Sequence, residues 1–113
     1  WDVSRLDDVA QLSFCIAEEL FDTSVNMGVK RAVGFLQRAL NIIREDEYIK
    51  VDGVLGDKTF KAFAEFLSER GKNGETVLFG MLNALQGVYY IELAEKRPKD
   101  KRFVYGWFKN RVV

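Results

Sequence analysis

Apolar residues recur along this chain at intervals of three and four, with almost none of the two-residue alternation that marks strands. After a polar start over residues 1–11, Leu12, Ile16 and Leu20, continued by Phe21 and Val25, read as one face of a helix. Gly28, following Asn26 and Met27, is placed to stop that helix as a left-handed C-cap. A second amphipathic helix then carries Val29, Val33, Leu36 and Leu40 on one face and Lys30, Arg31 and Arg38 on the other. With only Gly28 between them, the two helices should turn a tight corner. Residues 41–55 are the least regular stretch, running through Arg44, Glu45, Asp46 and Glu47 to Tyr48-Ile49-Lys50-Val51 and the turn signal Asp52-Gly53. Asp57 is a candidate N-cap for a helix bearing Phe60, Phe63, Ala64 and Leu67. A polar break is expected over 71–74. The longest helix should then cover about 75–97, with Leu78, Met81, Leu82, Leu85, Val88 and Tyr89 inward. Pro98, the only proline, ends it or opens the next segment, and Asp100 can cap a last helix carrying Phe103, Trp107 and Phe108. The expected fold class is all-α, a single compact domain of four to five helices.

Composition narrows the chemistry. At 113 residues, 48% of them hydrophobic and 30% charged, the chain can bury one domain-sized core. Seventeen Lys and Arg balance seventeen Asp and Glu, so the basic excess of a general nucleic-acid binder is missing and no nucleic-acid partner is expected. There is no His, which removes Ser-His-Asp and Cys-His nucleophiles and every His-ligated metal. The single Cys, Cys15 between Phe14 and Ile16, allows no internal disulfide and is expected to be a small buried apolar residue. Asp46, Asp52 and Asp57 lack the alternating ligands and closing Glu of a calcium loop, so a plain turn is expected, with no metal and no cofactor. No apolar run is expected to approach the ~18–20 residues that span a bilayer, so no membrane insertion is expected. Catalysis, if present, would fall to carboxylates, Lys or Tyr.

Two local patterns are more specific. Residues 32–41 (Ala-Val-Gly-Phe-Leu-Gln-Arg-Ala-Leu-Asn), then 51–59 (Val-Asp-Gly-Val-Leu-Gly-Asp-Lys-Thr), then Ala62 and Phe66, resemble the signature of helical peptidoglycan-binding modules. Locally, Asp52-Gly53 and Gly56 suit a tight loop with positive φ, and Asp57 or Thr59 helps start the next helix. Second, Phe21-Asp22-Thr23-Ser24-Val25-Asn26-Met27-Gly28, followed by Arg31-Ala32 and 36–40, resembles the core of the glycoside hydrolase family 108 muramidases, lysozyme-like phage and prophage proteins. The ending Tyr89-Tyr90, 94–98, Phe103, Gly106-Trp107 and 110–112 resembles that of their peptidoglycan-binding type 3 domain. The resemblance implies a lysozyme-like C-terminal part. Residues 1–28 would be the end of the catalytic region and 29–113 the binding domain, packed as one unit. It further implies peptidoglycan as partner and action at the bacterial cell wall or periplasm. The family's catalytic Glu lies in a Glu-Gly-Gly-Tyr-type motif, which this sequence lacks. Trp1-Asp2 resembles the segment just after it. The expected acid thus lies upstream, no catalytic residue is assigned here, and the chain alone is expected to be inactive.

Other carboxylates are the remaining candidates for that role. Glu18 and Glu19 are expected on a solvated helix edge. Asp22, flanked by Phe21 and Val25, should be partly buried, either bonded within the fold or lining the sugar groove. Asn26 carries a donor and an acceptor suited to an N-acetyl group, and equally suits a helix terminus. Tyr90 and Tyr105 fall off the inward stripes and are the candidates for exposed sugar-stacking rings. Gly28, Gln37, Asp52, Gly53, Gly56, Thr59 and Trp107 are expected to be structural, with Gln37 tying down the Asp52-Gly53 loop. The run Arg97, Lys99, Lys101 and Arg102 should be a solvated turn, with contact to anionic cell-wall polymer or peptide-stem carboxylates as its alternative. A helical protein-interaction module without a sugar ligand is the rival reading, and an apolar patch could hold a dimer.

Overall fold

The computed structural model describes residues 3–45 and 48–111. Trp1, Asp2, Asp46, Glu47 and Val112, named above, lie outside them. The elements are α1 (Val3–Leu12), α2 (Phe14–Met27), α3 (Val29–Ile43), α4 (Asp57–Lys96), a 3-10 turn (Pro98–Asp100) and α5 (Lys101–Arg111). The domain is all-α. It divides into two compact units, 1–82 and 83–113.

In the first unit the polar start is itself a helix. Val9 of α1 is completely buried. Ser13 separates α1 from α2: its backbone is extended (φ −156°, ψ 106°) and its Oγ accepts the Ile16 N–H at 3.2 Å, an N-cap. The buried face of α2 is Ile16, Ala17, Glu19, Leu20, Thr23, Ser24 and Met27. Leu12, Phe21 and Val25, expected inward, are exposed instead. At about 100° per residue, the line through Ile16, Leu20, Thr23 and Met27 leaves Phe21 and Val25 on the far side. Apolarity misled because the inward positions include hydroxyls. Thr23 Oγ1 donates to the Glu19 carbonyl at 2.8 Å and Ser24 Oγ to the Phe21 carbonyl at 2.7 Å, so both can be buried.

Gly28 turns the corner into α3. Its φ of 94° is positive as expected, but its ψ of 152° is extended rather than left-handed helical. Its N–H donates to the Ser24 carbonyl at 2.9 Å and its carbonyl accepts from Ala32 at 3.1 Å, joining the two helix ends. On α3, Val33, Leu36 and Leu40 are fully buried, with Ala32, Phe35 and Ala39 beside them, while Lys30, Arg31 and Arg38 are exposed.

Helix α4 begins at Asp57, so Asp57 is its first residue and not its cap; the Gly56 carbonyl accepts the Phe60 N–H at 3.0 Å. Asp57 instead pairs with Arg5, whose guanidinium lies 5.1 Å over the Phe60 ring. The expected break over 71–74 is a kink at Gly71 (φ 60°, ψ −144°), beyond which the helix continues to Lys96. Ala62, Phe63, Phe66, Leu78 and Leu82 bury its inner side within the first unit. From Thr76 to Ile91 no residue is charged. An 18-residue window of α4 reaches a mean hydropathy of 1.2, which makes the helix long and apolar enough to cross a membrane by length and composition. A third of that window is buried inside the protein. The expectation that no apolar run approaches spanning length does not hold for this helix: polar Asn83 and Gln86 interrupt the stretch without lowering its mean hydropathy below that of a span.

In the second unit, Pro98 opens the 3-10 turn that follows α4, and Asp100, whose N–H donates to the Arg97 carbonyl at 2.8 Å, is the residue immediately before α5. Arg97, Lys99, Lys101 and Arg102 are all exposed. Val88, expected inward, is exposed, and Tyr90 takes the inward place.

Candidate functional site

Two amides one turn apart on α3 organise the irregular stretch between α3 and α4. Gln37 is 1% exposed. Its Nε2 lies 2.9 Å from Asp52 Oδ1, 3.0 Å from Thr59 Oγ1 and 3.1 Å from the Val54 carbonyl, so two hydrogens serve three acceptors. Its Oε1 accepts the Gly53 N–H at 2.9 Å. Asp52 Oδ1 also accepts the Val54 N–H at 3.0 Å, an Asx turn. The Gln37 amide and the Val54 N–H together hold the Asp52 carboxyl below the usual carboxylate range. Asn41 works the same way one turn later. Its Nδ2 donates to the Ile49 carbonyl at 2.8 Å and its Oδ1 accepts the Ile49 N–H at 2.9 Å, imitating a strand partner. Sequence reasoning assigned Gln37 this task and missed Asn41, although the four-residue spacing of two amides on one helix was visible.

Gly53 is required at this turn. Its φ is 74°, and a Cβ there would meet the Lys30 carbonyl at 2.8 Å and the Lys30 side chain. Gly56, expected to share this role, has no positive φ.

The pinned loop and the start of α4 border a half-open pocket of about 350 Å³ lined by Arg44, Tyr48, Ile49, Lys58, Lys61, Ala62 and Glu65. Lys58, Lys61, Ala62 and Glu65 follow helical spacing and share one face of α4. Arg44, at the end of α3, is largely covered, its side chain 11% exposed and its Nη2 3.6 Å from Glu65 Oε2. Lys61 Nζ stands 3.9 Å from Glu65 Oε1. Ile49 and Ala62 are buried, whereas Tyr48 is 71% exposed. Among the described residues, the lining thus combines Arg44, Lys58, Lys61 and Glu65 with the exposed ring of Tyr48. Neither Tyr48 nor the lysines were singled out from sequence, since the pocket joins residues from three separate segments.

The expected sugar-facing residues divide. Asp22 is half-buried and Asn26 exposed on α2, and Asn26 Nδ2 donates to the Asp22 carbonyl at 3.1 Å. Tyr105 is exposed. Tyr90 is a correction: it is 2% exposed, with Trp107 and Phe103 ring centroids 4.9 and 5.5 Å from its own. Packed this way it presents no free face to a sugar. Phe103 is exposed as well, and with Arg102, Gly106, Trp107 and Asn110 it lines a cleft of about 410 Å³ on α5.

Two other expectations also change. Glu18 is exposed, but Glu19 is 4% exposed and belongs to the buried face of α2. Cys15 is half-buried rather than buried, with its Sγ 3.6 Å from Ser13 Oγ. Partial burial pushes its thiol above the ordinary range. Ser13 in turn hydrogen-bonds Glu75, holding that carboxyl below its usual range.

Among curated proteins, no relative matches the chain. One family model does, over residues 31–112: the Predicted Peptidoglycan domain. The matched span includes both α3 amides, the Asp52-Gly53 turn, the pocket beside Tyr48 and the aromatic cleft of α5. By that match over most of its length, the chain belongs to the Predicted Peptidoglycan domain family, a helical domain associated with the cell wall.

Proposed function

We propose that this chain is the peptidoglycan-binding part of an endolysin-type N-acetylmuramidase similar to glycoside hydrolase family 108. The observation that carries the binding half of this reading is the family match over residues 31–112. The muramidase half rests on the pattern Phe21-Asp22-Thr23-Ser24-Val25-Asn26-Met27-Gly28, which resembles the core of those enzymes. In this reading residues 29–113 bind the wall and residues 1–28 continue a catalytic region. The acid that protonates the leaving glycosidic oxygen is a Glu in a Glu-Gly-Gly-Tyr segment, which these 113 residues do not contain. Asp22 and Asn26, side by side on α2, then hold the sugar, and the exposed ring of Tyr105 in the second unit is a separate candidate for stacking on glycan.

The test is co-sedimentation with purified, protein-free peptidoglycan. The chain is expected in the pellet and without lytic activity of its own. A chain left in the supernatant at low salt would overturn the binding reading. For the finer reading, Asn26→Ala is made in a protein joining this sequence to a Glu-Gly-Gly-Tyr segment. Binding and lysis both unchanged would remove Asn26 from the groove.

A second reading, a protein-interaction module, is favoured by one feature of α2. Phe14, Phe21 and Val25 fall on one helix face and are 70%, 51% and 68% exposed. A protein neighbour or a second copy of the chain would cover such a face. That reading predicts no retention on peptidoglycan and a concentration-dependent change in sedimentation.

A further inference from the structure

We infer that the open cleft along α5, formed by Arg102, Phe103, Gly106, Trp107 and Asn110, binds the N-acetylated glycan strand of peptidoglycan. The inference rests on the peptidoglycan reading above and names the part of the polymer recognised.

The cleft follows from the spacing of α5. Arg102, Gly106 and Asn110 stand four residues apart in one line along the helix, and Phe103 and Trp107 form the line beside it. Trp107 is 9% exposed; its ring and that of Phe108 lie 3.8 and 3.3 Å from where a Cβ on Gly87 of α4 would stand. With no side chain at Gly87, the aromatic side of α5 settles on α4. The Arg102–Gly106–Asn110 line is left at the surface.

Gly106 lies in mid-helix, where glycine is less favourable than alanine. Its φ is not positive, and nothing lies within 4 Å of where its Cβ would go. Neither backbone geometry nor packing therefore calls for glycine here. Its effect is on the cleft, because a side chain at 106 would stand between Arg102 and Asn110. Arg102 sits in the first turn of α5, where the helix dipole disfavours a cation, so helix stability does not account for it either.

The groups so gathered suit a sugar ring. A pyranose has an apolar C–H face and a rim of hydroxyls. Phe103 is 51% exposed and is held edge-on against Tyr90, with 5.5 Å between ring centroids, so it offers a fixed flat surface to that face. Gly106 lets the sugar approach the helix backbone. Asn110 carries both a donor and an acceptor, matching the carbonyl and N–H of an acetamido group, and Arg102 adds donors at the other end. Eight residues separate these two, about 12 Å of helix, which leaves room for linked rings. The cleft, of about 410 Å³, is open, as a site must be when the polymer continues beyond it.

A purely charged ligand would not need this ring. Lys99, Lys101 and Lys109 are exposed nearby, and Asp100 lies 4.0 Å from Arg97. Attraction of anions to these lysines would fade with salt, whereas stacking of a neutral glycan would not.

The test is an amide-shift titration of the 15N-labelled chain at low and high salt, with retention on purified sacculi measured in parallel. The probes are chitotriose, a stem-free chain of N-acetylglucosamine; cellotriose, which lacks the acetamido groups; and a free stem tetrapeptide. Chitotriose should shift the amides of residues 102–110 at both salt concentrations, cellotriose less, and the tetrapeptide should leave them in place. Gly106→Ala should raise the thermal midpoint yet weaken chitotriose binding about fivefold or more, opposite changes that a merely structural glycine would not give. Asn110→Ala should remove the preference for chitotriose over cellotriose. Phe103→Leu, which keeps an apolar contact with Tyr90 but no flat face, should weaken both by roughly three- to tenfold.

Shifts in 102–110 from the tetrapeptide alone, or chitotriose affinity unchanged by Gly106→Ala, would overturn this site. Retention on sacculi with no chitotriose shift in 102–110 would overturn it while the peptidoglycan reading stands. No retention on sacculi together with no chitotriose shift would remove that reading as well.

Discussion

Gln37 ties α3 to the loop that follows it through four hydrogen bonds. Both ends of its amide are committed to a loop more than a dozen residues away, inside a site 1% exposed. Removing the amide leaves the Gly53 N–H without its partner and the Thr59 hydroxyl without a donor. Gln37→Ala should therefore cost about 2–4 kcal/mol, combining unsatisfied polar groups with a small void. Urea unfolding checks this, and a loss below about 1 kcal/mol would show the loop holding itself. Gly53→Ala should cost at least about 1–3 kcal/mol in the same assay, because a positive φ and the Lys30 carbonyl both oppose a Cβ. Asp52 adds a pH dependence. Its folded pKa lies below its unfolded value, so its contribution is full above the unfolded pKa and fades as pH falls through the folded one. The advantage of the native chain over Asp52→Asn, measured by unfolding from pH 6 to pH 3, should shrink as the pH drops. An unchanged difference would show that the carboxylate's charge is immaterial there.

At the scale of elements, α4 offers a paired comparison between two glycines of one helix. Gly71 sits at φ 60° and ψ −144°, and nothing lies within 4 Å of where its Cβ would go. Gly71→Ala should destabilise by about 1–2 kcal/mol from backbone strain alone. Gly80 is exposed, helical and equally open, so Gly80→Ala should stabilise by about 0.5–1 kcal/mol. Thermal unfolding of the two variants should move in opposite directions, and parallel shifts would mean that the kink is not fixed. The same scale shows where periodicity fails. Val33, Leu36 and Leu40 identified the inner face of α3 because its opposite side is charged. On α2 both sides are apolar, and Phe21 and Val25 are as hydrophobic as Ile16 and Leu20. Only packing could choose between them, and it chose the side where Thr23 and Ser24 could return hydrogen bonds to their own helix.

For the molecule as a whole, the outer face of α2 bears on how the domain associates. Replacing Phe14 and Phe21 by Ser should leave stability within about 0.5 kcal/mol per site, since neither supports the core. If that face meets a partner, the substitution should abolish the association seen by sedimentation; unchanged association would place the contact elsewhere. From its order of residues alone, the chain determined an all-α fold, the corner at Gly28, the weakness near Gly71, the Gln37 anchor and the family to which it belongs. These follow from local spacing, and from glycines and amides whose uses are few. Only the tertiary structure decided that Tyr90 turns inward between Phe103 and Trp107, that Glu19 is buried, and that Arg44, Tyr48, Lys58 and Lys61 line one pocket. The physical reason is common to all three. A helix fixes which residues share a face. Which face is covered, and which distant residues meet, depends on neighbours brought together by packing.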